Sequence, residues 1–268
     1  VTFLSSNSTA YSIHRRPFNK RVKLKPAYIA LCKSELGVQY AINFARKKQL
    51  KVAIKSGGHS FEGFSLNDDG LVIDLSNMNS LSIYGANSLA VGPGCKLSEL
   101  YEFLLPKNLI IPLGSCGGVG ISGLTLGGGY GLFSRKWGLT CDNLIGVRMV
   151  DGEGRILDSE SNPELLWACR GGGNGNFGVV TELRYKTHLA PKLLSQIKIK
   201  FKKLNARDAT EIAKRWFLEA KRLPNDAFSA FVLNGRTLTI LFTYFEKSSK
   251  QLVSNAVLAL SANSGKVY

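Results

Sequence analysis

"GSCGGVGISGLTLGGGYG", residues Gly114–Gly131, decides how this 268-residue chain is read. Nine of its eighteen residues are glycine, too many for a turn. Backbone stripped of side chains over such a length lets something large and flat, or anionic, approach the main chain; the alternative is that chain segments cross in a crowded core. Ligand contact is the preferred reading. The segment holds one G-x-G-x-x-G match (Gly118, Gly120, Gly123), and a second occurs at Gly173, Gly175 and Gly178. A dinucleotide fold needs strand, motif and helix in that order. The first match follows the strand-like "NLIIPLG" but runs into "LTLGGGYG", a poor helix. The second follows a helix and leads into a strand. Neither supports that fold, although both gather backbone N–H groups into nests that bind phosphate without a helix.

Working outward, Cys116 lies among these glycines, and 57 positions upstream "IKSGGHSFEG" (54–63) places His59 after two glycines and a strand-like run. His59 is one of only three histidines. Either residue alone is weak, because a histidine is most often a satisfied structural one. A His in one glycine-rich loop paired with a Cys in another carries more. A Cys-His hydrolase lacks a third partner, since His14 and His188 fall in terminal or strand-like contexts. A serine hydrolase lacks its G-x-S-x-G elbow. The five cysteines (Cys32, Cys95, Cys116, Cys141 and Cys169) are odd in number and form no C-x-x-C pair, so no metal site is expected. Those other than Cys116 read as small buried hydrophobes. Lys55 reads as a flanking surface charge rather than a phosphate contact.

Together with "GLTCDN" (138–143) and "WACRGGGNGNFGVV" (167–180), these motifs resemble the FAD-linked oxidases of the vanillyl-alcohol-oxidase type, with a PCMH-type FAD-binding fold. Within it they are most similar to the berberine-bridge-enzyme-like, oligosaccharide-oxidase-like branch. The resemblance covers residues 25–190 in the family's order and spacing. It implies an α+β fold: an FAD-binding domain of two α+β subdomains with FAD between them, followed by the first part of an α+β substrate domain. It also implies covalent FAD, with His59 bonded to the flavin 8α-methyl and Cys116 to flavin C6. Two such tethers, as the family implies, raise the flavin's redox potential and leave its face open to bulky substrates. Around His59 the implied cofactor contacts are Ser56, Gly57, Gly58, Ser60 and Phe61, with Leu75 after the next strand. In the glycine-dense segment they are Gly114, Ser115, Val119, Gly120, Gly123, Leu124, Gly127, Gly128 and Gly131. Asn143 and the run Gly178, Val179 and Val180 complete the set. Gly117 and Leu124 stand where many doubly tethered relatives carry Pro and His.

The implied reaction is hydride transfer from an alcohol, sugar or similar CH–OH group to the flavin, which oxygen reoxidises with release of hydrogen peroxide. The partners are therefore a small-molecule substrate and oxygen. A flavin dehydrogenase with another acceptor, or a non-catalytic FAD-binding fragment, are the alternatives. The family's tyrosine base lies in a region with no counterpart here, and none of the nine tyrosines matches its motif, so the catalytic residue stays unknown and the chain is expected to be incomplete as an enzyme.

The pattern along the chain places residues 1–190 in the FAD-binding domain and 191–268 in the incomplete substrate domain. Ser34–Lys48 has apolar residues at helical spacing. "LKVAIK", "LVIDL" and "SLAVGPG" read as strands, "LSELYEFLLP" as a helix stopped by Pro106, and "NLIIPLG" as a strand. "IGVRMVDGEGRILD" is a hairpin pattern with an Asp-Gly turn. "NPELLWACR" is a helix with Asn162 as N-cap and Pro163 first, and "FGVVTELRYKT" is a long strand. Beyond residue 190 the order is β-α-β-β-α, with an Asn234-Gly235 hairpin turn and a Ser248/Gln251 capping box. Such a sheet lacks partners, so Leu252, Val253, Val257, Leu258 and Leu260 of the last helix are expected to be exposed.

With 44% hydrophobic residues the chain can bury a sizeable core, and no apolar run is long enough for a transmembrane helix. The net charge of +16, from 35 basic and 19 acidic residues, is dispersed through "HRRPFNKRVKLK", "ARKKQLK" and "KIKFKK". These read as solvated faces and strand edges, without a nucleic-acid motif, so no nucleic-acid partner is expected. The opening "VTFLSSNSTA" carries no signal-peptide pattern, and the compartment is undecided, with a lean toward an exported protein.

Overall fold

Short apolar runs between glycine-rich turns make the first sheet. The computed structural model describes residues 1–261 and 266–267. Strands β1 (Thr2–Leu4), β2 (Tyr28–Leu31), β3 (Val52–Lys55) and β4 (Leu71–Asp74) lie in the order β1-β2-β4-β3, with β2, β4 and β3 parallel and β1 antiparallel at the edge. Helix α1 (Tyr11–His14) follows β1, and α2 (Glu35–Lys47) is the crossover from β2 to β3. Alternate strand residues serve opposite faces. Ala30, Leu71 and Ile73 join Val38, Ala41, Ile42 and Ala45 of α2 in one core, while Ile29, Ala53 and Val72 join Leu4, Tyr11 and Leu66 in another. A sheet buried on both sides explains why "LVID" lacks a polar alternation. Ser34 caps α2 by accepting the Gly37 N–H at 3.2 Å.

The second sheet is antiparallel, in the order β5-β6-β10-β8-β9. Its strands are β5 (Leu81–Tyr84), β6 (Ser88–Val91), β8 (Leu144–Val150), β9 (Ile156–Asp158) and β10 (Val179–Lys186); β7 (Leu109–Ile110) instead pairs with β11 (His188–Leu189). Helices α3 (Leu97–Leu104), α4 (Ile121–Leu126) and α6 (Pro163–Cys169) cover it, and α5 (Ser134–Trp137) belongs to the second unit described below.

Pro106 does not stop α3 cleanly; the chain continues into a 3₁₀ turn, Leu105–Lys107, and ends at left-handed Asn108. Of "NLIIPLG" only two residues are strand, because Pro112 can donate no backbone hydrogen bond; Ile111 and Leu113 are nevertheless fully buried. The poor helix former "ISGLTL" is α4, since burial of Ile121, Ser122, Thr125 and Leu126 overrides its propensity. Strand β5 lies in a turn-rich stretch that gave no strand signal. Pro163 does open α6, but the Asn162 amide donates to the Asp158 carbonyl at 3.3 Å instead of capping.

The division of the chain falls between residues 189 and 190, and segment 132–138 belongs with 190–268 rather than with its sequence neighbours. In this second unit β12 (Ser195–Phe201), α7 (Ala206–Arg222), β13 (Ala227–Asn234), β14 (Thr237–Tyr244), α8 (Lys250–Ser261) and β15 (Lys266–Val267) give a sheet ordered β13-β14-β12-β15. The order therefore gains a short final strand. Asn234 pairs with Thr237, so the two-residue turn is Gly235-Arg236, with Gly235 at φ 56°. A 3₁₀ turn (Lys247–Ser249) runs directly into α8, and Gln251 bonds Asn255 in place of the expected box. Val253, Val257 and Leu260 are buried with Ile199, Ile240 and Phe242; only Leu252 and Leu258 of the five are exposed. Helices α7 and α8 bury the central apolar residues of this sheet, while Val232 and Leu233 at the end of β13 remain exposed. Residues 262–265 and Tyr268 lie outside the described residues. No helix among the described residues is long and apolar enough to cross a membrane.

Candidate functional site

Strand β3 delivers Ser56, Gly57, Gly58 and His59 from the first sheet into a loop. Gly58 turns the chain at φ 67°, a conformation that favours glycine. The imidazole of His59 is half-buried and stacks on Phe18, with ring centroids 4.2 Å apart and planes at 18°. Its Nε2 lies 3.0 Å from where a Cβ on Gly118 would stand, so the His59 loop and the cysteine loop meet. Burial, and then the charge of Lys96, lower the His59 pKa below its ordinary value. The ring is therefore neutral, and nucleophilic, at neutral pH.

Lys55 is a correction. It is not a surface charge but is buried beneath Gly58, donating to Asp74 Oδ2 at 3.0 Å and to the His14 carbonyl at 2.7 Å. His14 Nδ1 meets the same Asp74 oxygen at 3.0 Å, and the Ser76 N–H reaches the other at 2.9 Å. Burial alone would raise the Asp74 pKa; Lys55, Ser76 and His14 outweigh it and hold the carboxyl below the usual range.

Cys116 is exposed and free, at the tip of a loop strapped to the start of α3. Ser98 N–H donates to the Gly117 carbonyl, Leu97 N–H to Val119, and Ile121 N–H to Cys95. Ser115 is exposed beside it, and Val119 is partly buried. The glycines divide by role. A Cβ on Gly57 or Gly120 would overlap the other loop's backbone, and one on Gly131 would overlap the Leu113 carbonyl; these permit chain crossing. Buried Gly114 packs on Leu124, its carbonyl taken by the Tyr101 hydroxyl. Gly128 has φ 103°, and its carbonyl accepts the Cys141 N–H. Gly123 and Gly127 face Asn174, whose amide donates to the Gly123 carbonyl at 2.8 Å, so the two G-x-G-x-x-G matches close on each other. Of the two readings weighed for the dense run, these contacts carry chain crossing, and ligand contact stays a proposal.

The remaining expected contacts sit as follows. The Ser56 hydroxyl donates to the Pro93 carbonyl, the Ser60 hydroxyl accepts the Phe64 N–H, and Phe61 is exposed. Leu75, Val179 and Val180 are core side chains, able to offer a ligand only backbone. Asn143 is buried between the Leu139 carbonyl and His188. Gly178 and Val179 line a cavity of about 320 Å³ with Ile42, Val52, Ile54 and Asp151. A more basic recess of about 390 Å³ is walled by Arg15, Arg16, Lys20 and Lys23. The sequence reading missed Phe18, His14, Asp74 and Asn174. One signal was present: an aspartate inside the apolar strand "LVID" is out of place unless paired. Among the described residues no cluster of His, Cys, Asp or Glu could hold a metal ion.

Two glycine-bared loops meeting at a neutral histidine, with a cavity farther back along β3, define the class: a nucleotide-cofactor site in an α+β domain. The comparisons agree. A family model described as an FAD binding domain matches residues 26–160. The FAD-linked oxidoreductase YgaK of Bacillus subtilis is 40% identical over 183 residues, 66% of this chain and 41% of its own length. Berberine bridge enzyme-like 8 of Arabidopsis thaliana is 36% identical over 245 residues, 87% of this chain and 46% of its own. Among solved structures, Physcomitrella patens BBE-like 1 covers 100% of this chain and 59% of its own, with a TM-score of 0.93 and 28% identity. The grass pollen allergen Phl p 4, described in its wild-type form as a glucose dehydrogenase and in one variant as a glucose oxidase, has a TM-score of 0.88 at 28% identity, covering 99% of this chain and 58% of its own. The chain belongs to the FAD binding domain family, in the berberine-bridge-enzyme-like branch of FAD-linked oxidoreductases. It spans less than half the length of the curated relatives it matches.

Proposed function

We propose that this chain carries the FAD of an oxidase that removes a hydride from an alcohol, sugar or similar CH–OH group and passes the electrons to oxygen, releasing hydrogen peroxide. The carrying observation is His59: neutral, fixed by Phe18, and edged against bare backbone at Gly118, two residues from exposed Cys116. His59 is the proposed covalent tether, and Cys116 the proposed second. The backbone of Gly57, Gly58, Gly117, Gly118 and Gly120 is proposed to take the pyrophosphate on its N–H groups, the Val119 N–H being engaged by the Cys116 carbonyl. The cavity lined by Ile54, Gly178 and Val179 suits the adenine, because β3 joins the two places over a few residues. Bound FAD would supply the hydride acceptor, and the protein's part is to hold and orient it. No residue of this chain is assigned as the base that takes the substrate hydroxyl proton.

A second reading keeps the flavin but replaces oxygen with another acceptor. It is favoured by the two descriptions attached to Phl p 4, dehydrogenase and oxidase, within one fold. The test has two arms. Acid-precipitated wild-type protein should stay yellow and carry the mass of FAD, whereas the double variant His59→Ala, Cys116→Ala should release its flavin into the supernatant and each single variant should report the tether that remains. Peroxide release across alcohols and sugars, set against reduction of a dye, then separates the oxidase from the dehydrogenase. Free flavin from fully loaded wild-type protein would overturn the tether.

A further inference from the structure

A segment outside its own loop holds His59 in place. Phe18 contacts the loop three times: its ring stacks on the imidazole at 4.2 Å, it meets Phe61 edge-on at 6.0 Å, and its N–H donates to the Gly58 carbonyl at 2.9 Å. Residue 18 is anchored from four positions upstream, where His14 offers its carbonyl to Lys55 and its ring to Asp74. Asn19 adds a bond to the Phe61 carbonyl at 2.7 Å. The buried Lys55–Asp74 pair is thus the fixed point of a clasp, and Phe18 is its tip. The ring is 53% exposed and packs in none of the cores, so core packing does not account for an aromatic at this position.

We infer that Phe18 is a positioning residue for His59, setting the imidazole at the angle and distance needed for bond formation to FAD. This rests on the tether proposed above. In that step a ring nitrogen of His59 gives up its proton and forms a bond to the 8α carbon, which loses one hydrogen. The two hydrogens, as two electrons and two protons, pass to the isoalloxazine and then to oxygen, giving one hydrogen peroxide. Bond formation between fixed groups depends steeply on alignment, and a misplacement of about 1 Å costs on the order of 100-fold. A flat ring stacked on the imidazole supplies that alignment; an aliphatic side chain of similar bulk does not.

The test uses the 268-residue chain carrying Cys116→Ala, so that only the His59 bond is read, prepared without flavin, mixed with FAD in air, and sampled over time onto denaturing gels read by flavin fluorescence. This background is the wild type against which the Phe18 variants are compared. Wild-type protein should become fluorescent. Phe18→Leu should do so about tenfold or more slowly, with unchanged non-covalent FAD affinity and melting temperature, while Phe18→Tyr and Phe18→Trp keep the wild-type rate. Phe18→Leu loading at the wild-type rate would overturn the inference. Leu, Tyr and Trp variants slowed alike would also overturn it, since stacking would not be what matters. A wild-type chain that never becomes fluorescent would instead overturn the tether itself, before any variant is compared.

Discussion

Asp74 has no exposed surface and stands at the end of an apolar strand, so its charge depends wholly on Lys55, Ser76 and His14. Removing one partner of a buried pair leaves the other charge uncompensated, at about 3–5 kcal/mol, whereas replacing both with apolar groups is often nearly neutral. Lys55→Met and Asp74→Asn should therefore each destabilise by about that amount, and Lys55→Met combined with Asp74→Leu by less than either. The acid side follows from the direction of the shift. A carboxyl held lower in the folded chain contributes stability above its unfolded pKa of about 3.9, and that contribution fades as pH falls from there toward the folded value. Melting temperatures from pH 7 to 3 should drop in this window for wild type and stay flatter for Asp74→Asn. An equal acid slope in both proteins would show that Asp74 does not carry it.

At the scale of elements, the proposed site lies where two loops meet. The β3 loop and the α3–α4 loop cross so closely that a Cβ on Gly120 would overlap Ser56 Oγ and the Gly57 nitrogen. The obstacle includes backbone and cannot rotate away. Gly120→Ala should cost about 1–3 kcal/mol by overpacking and impair covalent flavin loading, because the loop it displaces carries His59. Gly37→Ala in α2, where the nearest atoms would lie at 3.6 Å, should be neutral or stabilising by up to about 1 kcal/mol. Comparing melting temperature and gel fluorescence of the two variants checks this. The same crossing explains what could be read beforehand. "SGGHS" and "GSCGGVG" were visible as loops because glycine density is a local property, and α2, β4, β8 and β10 because apolar spacing is local as well. Helix α4 was not visible because burial rather than propensity makes it, and strand β5, none of whose residues is fully buried, was not visible because it forms by pairing with β6. Phe18 and His14 were hidden in "HRRPFNK", whose charges suggested a solvated face, while their partners lie 41 to 60 residues away. No periodicity reports such a pairing.

At the scale of the whole molecule, the chain visits its second unit twice. Leu132–Gly138, which directly follows the glycine-dense segment, belongs to the unit built from residues 190–268. Within that unit its residues have definite work. Arg135 donates to the Ala220 and Leu223 carbonyls at 2.9 and 2.6 Å, satisfying acceptors at the end of α7 that helix geometry leaves open. Lys136 pairs with Glu246 at 3.0 Å, and Phe133 lies 4.5 Å from Phe245. The segment is thus an end-cap for α7 supplied from a distant part of the sequence. Losing a charged donor of this kind costs about 1.5–3 kcal/mol, so local opening should rise by about tenfold or more in Arg135→Ala. Hydrogen exchange read peptide by peptide should show residues 132–138 and the last turn of α7 accelerating together, with β2, β4, β8 and β10 unchanged. Faster exchange in 132–138 alone, with α7 as protected as before, would mean that the cap contributes nothing to the helix and that the segment is only a passing loop.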